Sequence, residues 1–175
     1  MTDLAIRPPI TADAADLLAF ELANRAFFER WINARDSDYY DLEGVRAAIE
    51  QAGTARREDQ GYQFLAKAGG RIVGRVNLSH VRRPYYNCAE LGYRIGEREG
   101  GQGFASKAVA LCLREAFDVL GFWRVEATVR PENVASMRVL ERNGFVAFGH
   151  SRRCFQLHGR WYDLIHFECH GDSRT

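Results

Sequence analysis

Residues 88–108 read CAELGYRIGEREGGQGFASKA, and three patterns follow one another along them. The first eight positions alternate, with Ala89, Leu91, Tyr93 and Ile95 set against Glu90, Gly92 and Arg94, the period-two signature of a strand. Gly100, Gly101 and Gly103 then mark a segment that tolerates φ > 0 or the close approach of another group. From Ala105 the apolar residues fall at 105, 108, 109, 112, 113, 116, 117 and 120, which predicts a helix lying on a sheet, ended by Gly121. A strand, a glycine turn and a helix start in succession aim several backbone N–H groups and the positive end of a helix dipole at one spot. Three readings of that spot are open: a plain loop, a dinucleotide site, or a site for another pyrophosphate ligand. A Walker A loop is excluded, because no Gly-Lys-Ser/Thr ends the turn. The dinucleotide fingerprint has Ser106 where its third glycine belongs, and its strand sits in an antiparallel meander.

Working outward, LAIRPP (4–9) reads as a short strand closed by prolines. Thr11 is placed to cap an apolar-periodic helix through Leu17, Leu18, Phe20 and Leu22 that runs on towards Phe27, Phe28 and Trp31. DSDYYDLEG is a polar break, and a second helix is predicted from about Leu42 to Arg57. GYQFLAK and RIVGRVNLSHV flank Ala68-Gly69-Gly70 as a hairpin, with CAELGYRI as the third strand of the meander. WRVEATVR alternates as a strand, a short helix opens at Asn133 and closes at Gly144, and the C-terminal segment predicts a hairpin turning at His158-Gly159. The order β-α-α-β-β-β-α-β-α-β-β predicts an α+β fold, one strand–helix–strand crossover inside a largely antiparallel sheet.

The 175 residues predict one domain over 1–175, and a net charge of +1 gives no global field for nucleic acid or an anionic membrane. No apolar run approaches the ~18–20 residues of a membrane span, and the opening Met-Thr-Asp-Leu-Ala lacks the pattern of a signal peptide. Cys88, Cys112, Cys154 and Cys169 form no CxxC pair and are expected to be reduced thiols of a cytoplasmic protein. The five histidines show no ligand spacing, so no metal is expected, and they read as surface or hairpin residues. Aromatic residues of the polar loops, among Trp31, Tyr39, Tyr40, Tyr85, Tyr86, Phe155, Trp161 and Tyr162, are candidates to wall an acceptor site.

RPENVASMRVLERNGF, residues 130–145, places Asn133, Ser136, Leu140 and Asn143-Gly144-Phe145 at fixed spacing. Together with Arg98-x-x-Gly101-x-Gly103 it resembles the GCN5-related N-acetyltransferases (GNAT), and within them the RimJ/RimL-like branch that acetylates ribosomal-protein N-termini. That branch carries the NxxS and GF pattern, and GRWYD after the last turn is similar to it as well. The resemblance implies a mostly antiparallel mixed sheet flanked by about four helices, with acetyl-CoA as cosubstrate. It implies that residues 99–106, among them Gly101, Gln102, Gly103, Phe104, Ala105 and Ser106, wrap the CoA pyrophosphate beside Arg98. Tyr93, Arg94 and Ile95 would pair their backbone with the pantetheine arm, and a strand N–H near Ile95 would meet the oxyanion.

The same resemblance implies catalytic roles for two residues. Asn133 is a helix cap in its own right and would also contact the pantetheine. Ser136 is either merely solvated or the proton donor to the leaving thiolate; many relatives carry a tyrosine acid where this chain has Leu140, which assigns the acid to Ser136. Glu90 is an exposed strand carboxylate, half of a cross-strand ion pair, or the general base. No histidine or tyrosine relay is expected around it. The acceptor implied is the α-amine of a protein N-terminus, with a small-molecule amine as the alternative and a catalytically silent CoA-binding module after that. The protein is expected to be a monomer or homodimer.

Overall fold

Seven stretches of alternating sequence pair into a single sheet in the computed structural model, which describes residues 3–171. The strands are β1 (Leu4–Arg7), β2 (Tyr62–Ala68), β3 (Arg71–Arg82), β4 (Cys88–Ile95), β5 (Arg124–Val129), β6 (Val146–Leu157) and β7 (Arg160–His170). Between them run α1 (Ala14–Phe28), α2 (Leu42–Arg57), α3 (Phe104–Arg114) and α4 (Val134–Arg142). The sheet order is β1-β2-β3-β4-β5-β7-β6, and β4–β5 is its one parallel junction among the described residues. The α+β reading and the element order therefore hold.

Local chemistry differs from expectation at two helix ends. Thr11 does not cap α1: Thr11–Asp13 form a 3-10 turn, and the Asp13 carboxylate accepts the Ile10 N–H at 2.9 Å. Asp13 stands at the N-cap of α1 but gives that helix no side-chain bond, because its carboxylate holds the Arg7 guanidinium through two bonds of 2.7 and 2.5 Å, and charged donors outcompete a backbone amide. Its own pKa falls to about 2, mainly through the Arg7 hydrogen bonds, against a burial effect of opposite sign. The predicted helix 105–120 starts at Phe104, and its last turn, Glu115–Val119, widens to π geometry before Gly121.

The two faces of the sheet are covered differently. The α3 stripe Ala108, Val109, Cys112, Leu113 and Ala116 is at most 2% exposed and packs with Leu140 and Phe145 on one face. A fully buried aliphatic side chain of this kind contributes roughly 1.5–3 kcal/mol. On the other face α1 and α2 pack over β2 and β3 through Leu17, Phe20, Val45 and Ile49 against Leu65 and Ile72. The rest of that face, over β5 and β7, carries the ion pairs Arg82–Glu126 and Arg124–Glu168.

What positions the site is an interruption. β4 and β5 pair only through Cys88–Glu90 against Arg124–Glu126, and then diverge. From Leu91 onward β4 keeps β3 as its partner on one side and has no strand on the other.

Candidate active site

The gap beside β4 exposes backbone in a definite direction. The Gly96 N–H is given to the Val73 carbonyl at 3.0 Å on the β3 side, and strand alternation turns the amides of Tyr93 and Ile95 the other way, into the gap. An extended chain laid there would find the donors and acceptors of a missing strand.

Past the end of β4 the chain makes a 3-10 turn at Glu97–Glu99 and enters the glycine loop. Gly101 and Gly103 have φ of +73° and +80°, in the left-handed region that β-carbons disfavour, and nothing lies within 4 Å of where a β-carbon would stand. Gly103 is the N-cap of α3 and offers no side chain to the first turn, so the N–H groups of Phe104, Ala105 and Ser106 have no intrahelical partner. Such a start holds an anion. A cleft of about 480 Å³ runs along this loop, and its lining includes Tyr93, Ile95, Gly101, Gly103, Ser106 and Asn133. Arg94, Phe104, Ala105 and Ser136 line it as well, whereas Arg98 and Gln102 are exposed and not among its lining residues. The Gln102 side chain donates instead to the Arg98 carbonyl at 2.9 Å, closing the loop on its outer side.

The NxxS…NGF segment braces this cleft from α4. Asn133 caps the helix, its Oδ1 accepting the Ser136 N–H at 3.1 Å, which fixes the serine at the mouth of the gap. At the other end Asn143 donates to Ser106 Oγ at 3.2 Å and so ties α4 to the first turn of α3. Ser136 Oγ lies 2.9 Å from the Tyr93 hydroxyl. Burial raises the Tyr93 phenol above its ordinary range, more than the Ser136 hydrogen bond lowers it, so the pair stays protonated and able to donate.

A second cleft, of about 360 Å³, opens on the other side of the same pair and shares Tyr93, Arg94, Asn133 and Ser136 with the first. Its walls come from the loop after α1, with Trp31 and Ile32, and from the last hairpin, with Phe155 and Leu164. Those two walls are bonded together: His158 donates to the Glu29 carbonyl at 2.8 Å and Asn33 to the Gln156 carbonyl at 3.3 Å. Arg130 sits between the rings of Trp31 and Tyr162, 4.9 and 4.2 Å from their centroids. Of the expected aromatic residues, Trp31 and Phe155 thus line the cleft and Tyr162 buttresses it. Tyr39 is buried, while Tyr85, Tyr86 and Trp161 point to solvent.

Glu90 is the one carboxylate lining this second cleft among the described residues. Thr128 Oγ1 donates to its Oε1 at 3.2 Å, and His80 Nδ1 lies 3.0 Å from its Oε2. The expectation that no histidine stands near Glu90 is therefore corrected. A register shift between Ser79 and Arg82 turns the His80 ring onto the carboxylate, and periodicity carries no trace of such a shift.

Beneath both clefts lies a buried charge cluster. Arg75 donates to Glu21 at 2.6 Å and to Gln63 at 2.6 Å, and Arg94 stands 3.6 Å from the same Glu21 carboxylate. Burial alone would raise Glu21, yet Arg94, Arg75 and Arg35 together hold it below its usual range. Arg94 is lowered to about 10, by burial first and then by repulsion from Arg75 and Arg35.

A channel that presents unpaired strand backbone, leads to a helix start fit for a pyrophosphate and passes a hydroxyl pair at its midpoint can be set beside known proteins. The family model described as acetyltransferase (GNAT) domain matches residues 3–146. The chain belongs to the GNAT acetyltransferases. It is 35% identical over 160 residues to a probable N-acetyltransferase, YjcK, of Bacillus subtilis (strain 168), across 90% of this chain and 88% of that protein. It is 26% identical over 164 residues to the [ribosomal protein uS5]-alanine N-acetyltransferase of Escherichia coli (strain K12), with 93% and 84% covered. The solved structure of Mycobacterium smegmatis RimJ in complex with CoA-disulfide matches with a TM-score of 0.91 and 26% identity over 98% of this chain and 83% of that one. The GNAT fold and the RimJ/RimL-like resemblance are as the sequence implied, and the chain is an acetyl-CoA-dependent N-acetyltransferase.

Three parts of this GNAT site escaped the sequence. The Tyr93 hydroxyl could be placed on Ser136 only once β4 and α4 were assembled. Thr128 and Arg130, on and just past β5, read merely as strand residues. No helix among the described residues is long and apolar enough to cross a membrane, and Cys88, Cys112 and Cys154 form no disulfide.

Proposed function

We propose that this GNAT domain moves the acetyl group of acetyl-CoA to the N-terminal α-amine of a protein, by direct attack in a ternary complex. The observation that carries the reading is the meeting of the two clefts at Tyr93 and Ser136, with Glu90 as the one carboxylate lining the acceptor side among the described residues. The residues present suit the donor. Gly101, Gly103 and the open first turn of α3 would hold the pyrophosphate, and the free edge of β4 at Tyr93 and Ile95 would pair with the pantetheine.

The chemistry then needs little more than alignment, because holding two reactants in line removes most of the cost of a bimolecular encounter. The neutral amine attacks the thioester carbonyl, and a β4 amide turned into the gap stabilises the oxyanion. As the C–S bond breaks, the thiolate takes a proton from Ser136 Oγ, and the serine is reprotonated by solvent entering the cleft while Tyr93, held neutral by burial, keeps its hydrogen bond to Ser136 across 2.9 Å. A thiol pKa near ~8.5 makes a weak donor sufficient. Glu90 receives the ammonium proton.

Acid–base arithmetic and charge both favour an α-amine. Near pH 7 roughly a tenth of α-amines with pKa ~8 are neutral, against about one lysine amine in a few thousand, a difference of about 3 kcal/mol. Among the described residues the acceptor cleft is lined by one carboxylate, Glu90, while its guanidiniums Arg94 and Arg130 stand 3.6 Å from Glu21 and Glu132, so the cleft lacks the several free carboxylates that a polyamine needs. The similarity to a uS5-alanine N-acetyltransferase supports a small first residue such as Ala or Ser. Competitive acetylation of an Ala-starting peptide with an internal lysine, in the presence of spermidine and mapped by fragmentation mass spectrometry, tests the proposal. Label on the α-amine at least about tenfold over lysine is expected. Label mainly on lysine or spermidine would overturn it in favour of a small-amine acceptor.

A further inference from the structure

We infer that His80 is a positioning residue that sets the pH range over which Glu90 can serve the acceptor amine. The inference rests on the acetyltransferase reading above and adds a control to the same site. Three observations carry it. His80 Nδ1 lies 3.0 Å from Glu90 Oε2, while the other oxygen is held by Thr128 at 3.2 Å, so the carboxylate is fixed from both sides. His80 has φ of +50°, a conformation rare for a residue with a β-carbon, at the register shift that re-aims its ring. Glu90 also lines two clefts at once, the acceptor cleft and a polar one of about 330 Å³ on the bare face of the sheet, and His80 stands in the latter. The other charged or titratable groups of that polar cleft are Arg82, Glu126 and His166. Arg82 and Glu126 pair with each other at 2.8 Å, and His166 is 2.7 Å from Ser151 Oγ. On the acceptor side Arg94 and Arg130 stand 3.6 Å from Glu21 and Glu132, so the titratable side chain that meets the Glu90 carboxylate directly is His80. Ser79 Oγ, 3.3 Å from the same nitrogen, completes its surroundings.

The neutral ring donates Nδ1–H to Glu90 and orients it while the second nitrogen faces solvent, since the side chain is 77% exposed. The protonated ring places a full positive charge against the carboxylate. That charge weakens Glu90 as a base and repels the incoming ammonium, and both effects act in the same direction. Acetyl transfer should therefore fall on the acid side more steeply than protonation of the amine alone requires.

His80→Asn is the test variant, because asparagine accepts a left-handed φ and keeps a side-chain amide near the Nδ1 position, but cannot ionise. Through the acid range over which the ring takes up its second proton, log(kcat/KM) of the wild type should climb with pH more steeply than that of His80→Asn, whose profile reports protonation of the amine alone. The ratio of variant to wild type should therefore rise as the pH is lowered from about 8 to about 5.5. A uniform loss at every pH, or superimposable profiles, would overturn the inference and leave the acetyltransferase reading standing. No acetylation of any amine by the wild type would remove both. A readout independent of activity is the tautomer of the neutral His80 ring, followed by its nitrogen chemical shifts. Nδ1–H should dominate in the wild type and give way to Nε2–H in Glu90→Ala, which removes the acceptor, and an unaltered tautomer there would overturn the pairing itself.

Discussion

The two clefts proposed as the donor and acceptor sites of this GNAT domain share a midpoint but are made of different material. The donor side is largely backbone: positive-φ glycines, an open helix start and the unpaired edge of β4. The acceptor side is side chains contributed by separate loops, with Trp31, Phe155, Arg130 and Glu90 brought together by hairpin-to-loop bonds. Backbone recognition demands a conformation that few residues permit. Side-chain recognition demands only that a particular group arrive from somewhere, which is why acceptor loops are the place where one fold can acquire different substrates.

If the donor side depends on backbone, the largest effect should come from a β-carbon in the glycine loop. Gly103→Val, at φ +80°, is expected to weaken acetyl-CoA binding by about 100-fold or more while the protein stays folded, checked by calorimetry beside circular dichroism. Affinity within a few-fold of wild type would break the contrast at once. At the shared midpoint, Ser136→Ala should lower kcat roughly 30-fold with little change in acetyl-CoA affinity, because its proton is needed only as the thiolate leaves. Tyr93→Phe in that background should cost much less than in the wild type, since the two hydroxyls act as one unit 2.9 Å apart.

On the acceptor side, Glu90→Gln should cost about tenfold near pH 7 and progressively less towards pH 9, where amines arrive neutral. A flat loss across the profile would assign Glu90 to structure. The smallest kinetic effect should come from outside both clefts. Asp13 has a pKa lowered to about 2 from 3.8, so its stabilisation is fully present above pH 4 and is lost as pH falls towards 2. Asp13→Asn should remove about 2 kcal/mol of stability at neutral pH, with Arg7 part-exposed and partly screened, and leave kcat/KM within a few-fold. Urea titrations at pH 7 and pH 3 check both the size and the sign.

The same contrast explains what could be read in advance. Glycine spacing, the Asn133 cap and the stripe of α3 are local statements, enforced by φ, by an orphan N–H and by a helical period, and they appear in the chain as written. The Glu90 environment is not local. His80 reaches it through a register shift, Thr128 from a parallel neighbour, and Arg130 joins Trp31 and Tyr162 across long separations. Thr11 misled for another reason: Thr11–Asp13 wind into a 3-10 turn before α1, and Asp13, which then stands at the cap position, is drawn instead to Arg7 and the Ile10 N–H.

The short parallel junction between β4 and β5 has a mechanical reading. Three residue pairs, Cys88–Arg124 to Glu90–Glu126, act as a pin between two leaves of the sheet, one ending at β4 and the other beginning at β5. The open side of the pin is spanned by side chains, chiefly Tyr93 against Ser136. A ligand that bonds to the free margin of the first leaf and leans on α4, carried by the second, works as a staple across the opening. Its binding energy adds to the resistance of the whole sheet to unfolding, by RT ln(1 + [L]/Kd) for free ligand in excess. The cleft proposed for the acceptor draws its walls from both leaves, so on that reading the staple would also set the spacing the amine meets, and the donor would be for the length of one turnover a structural member of the enzyme it serves.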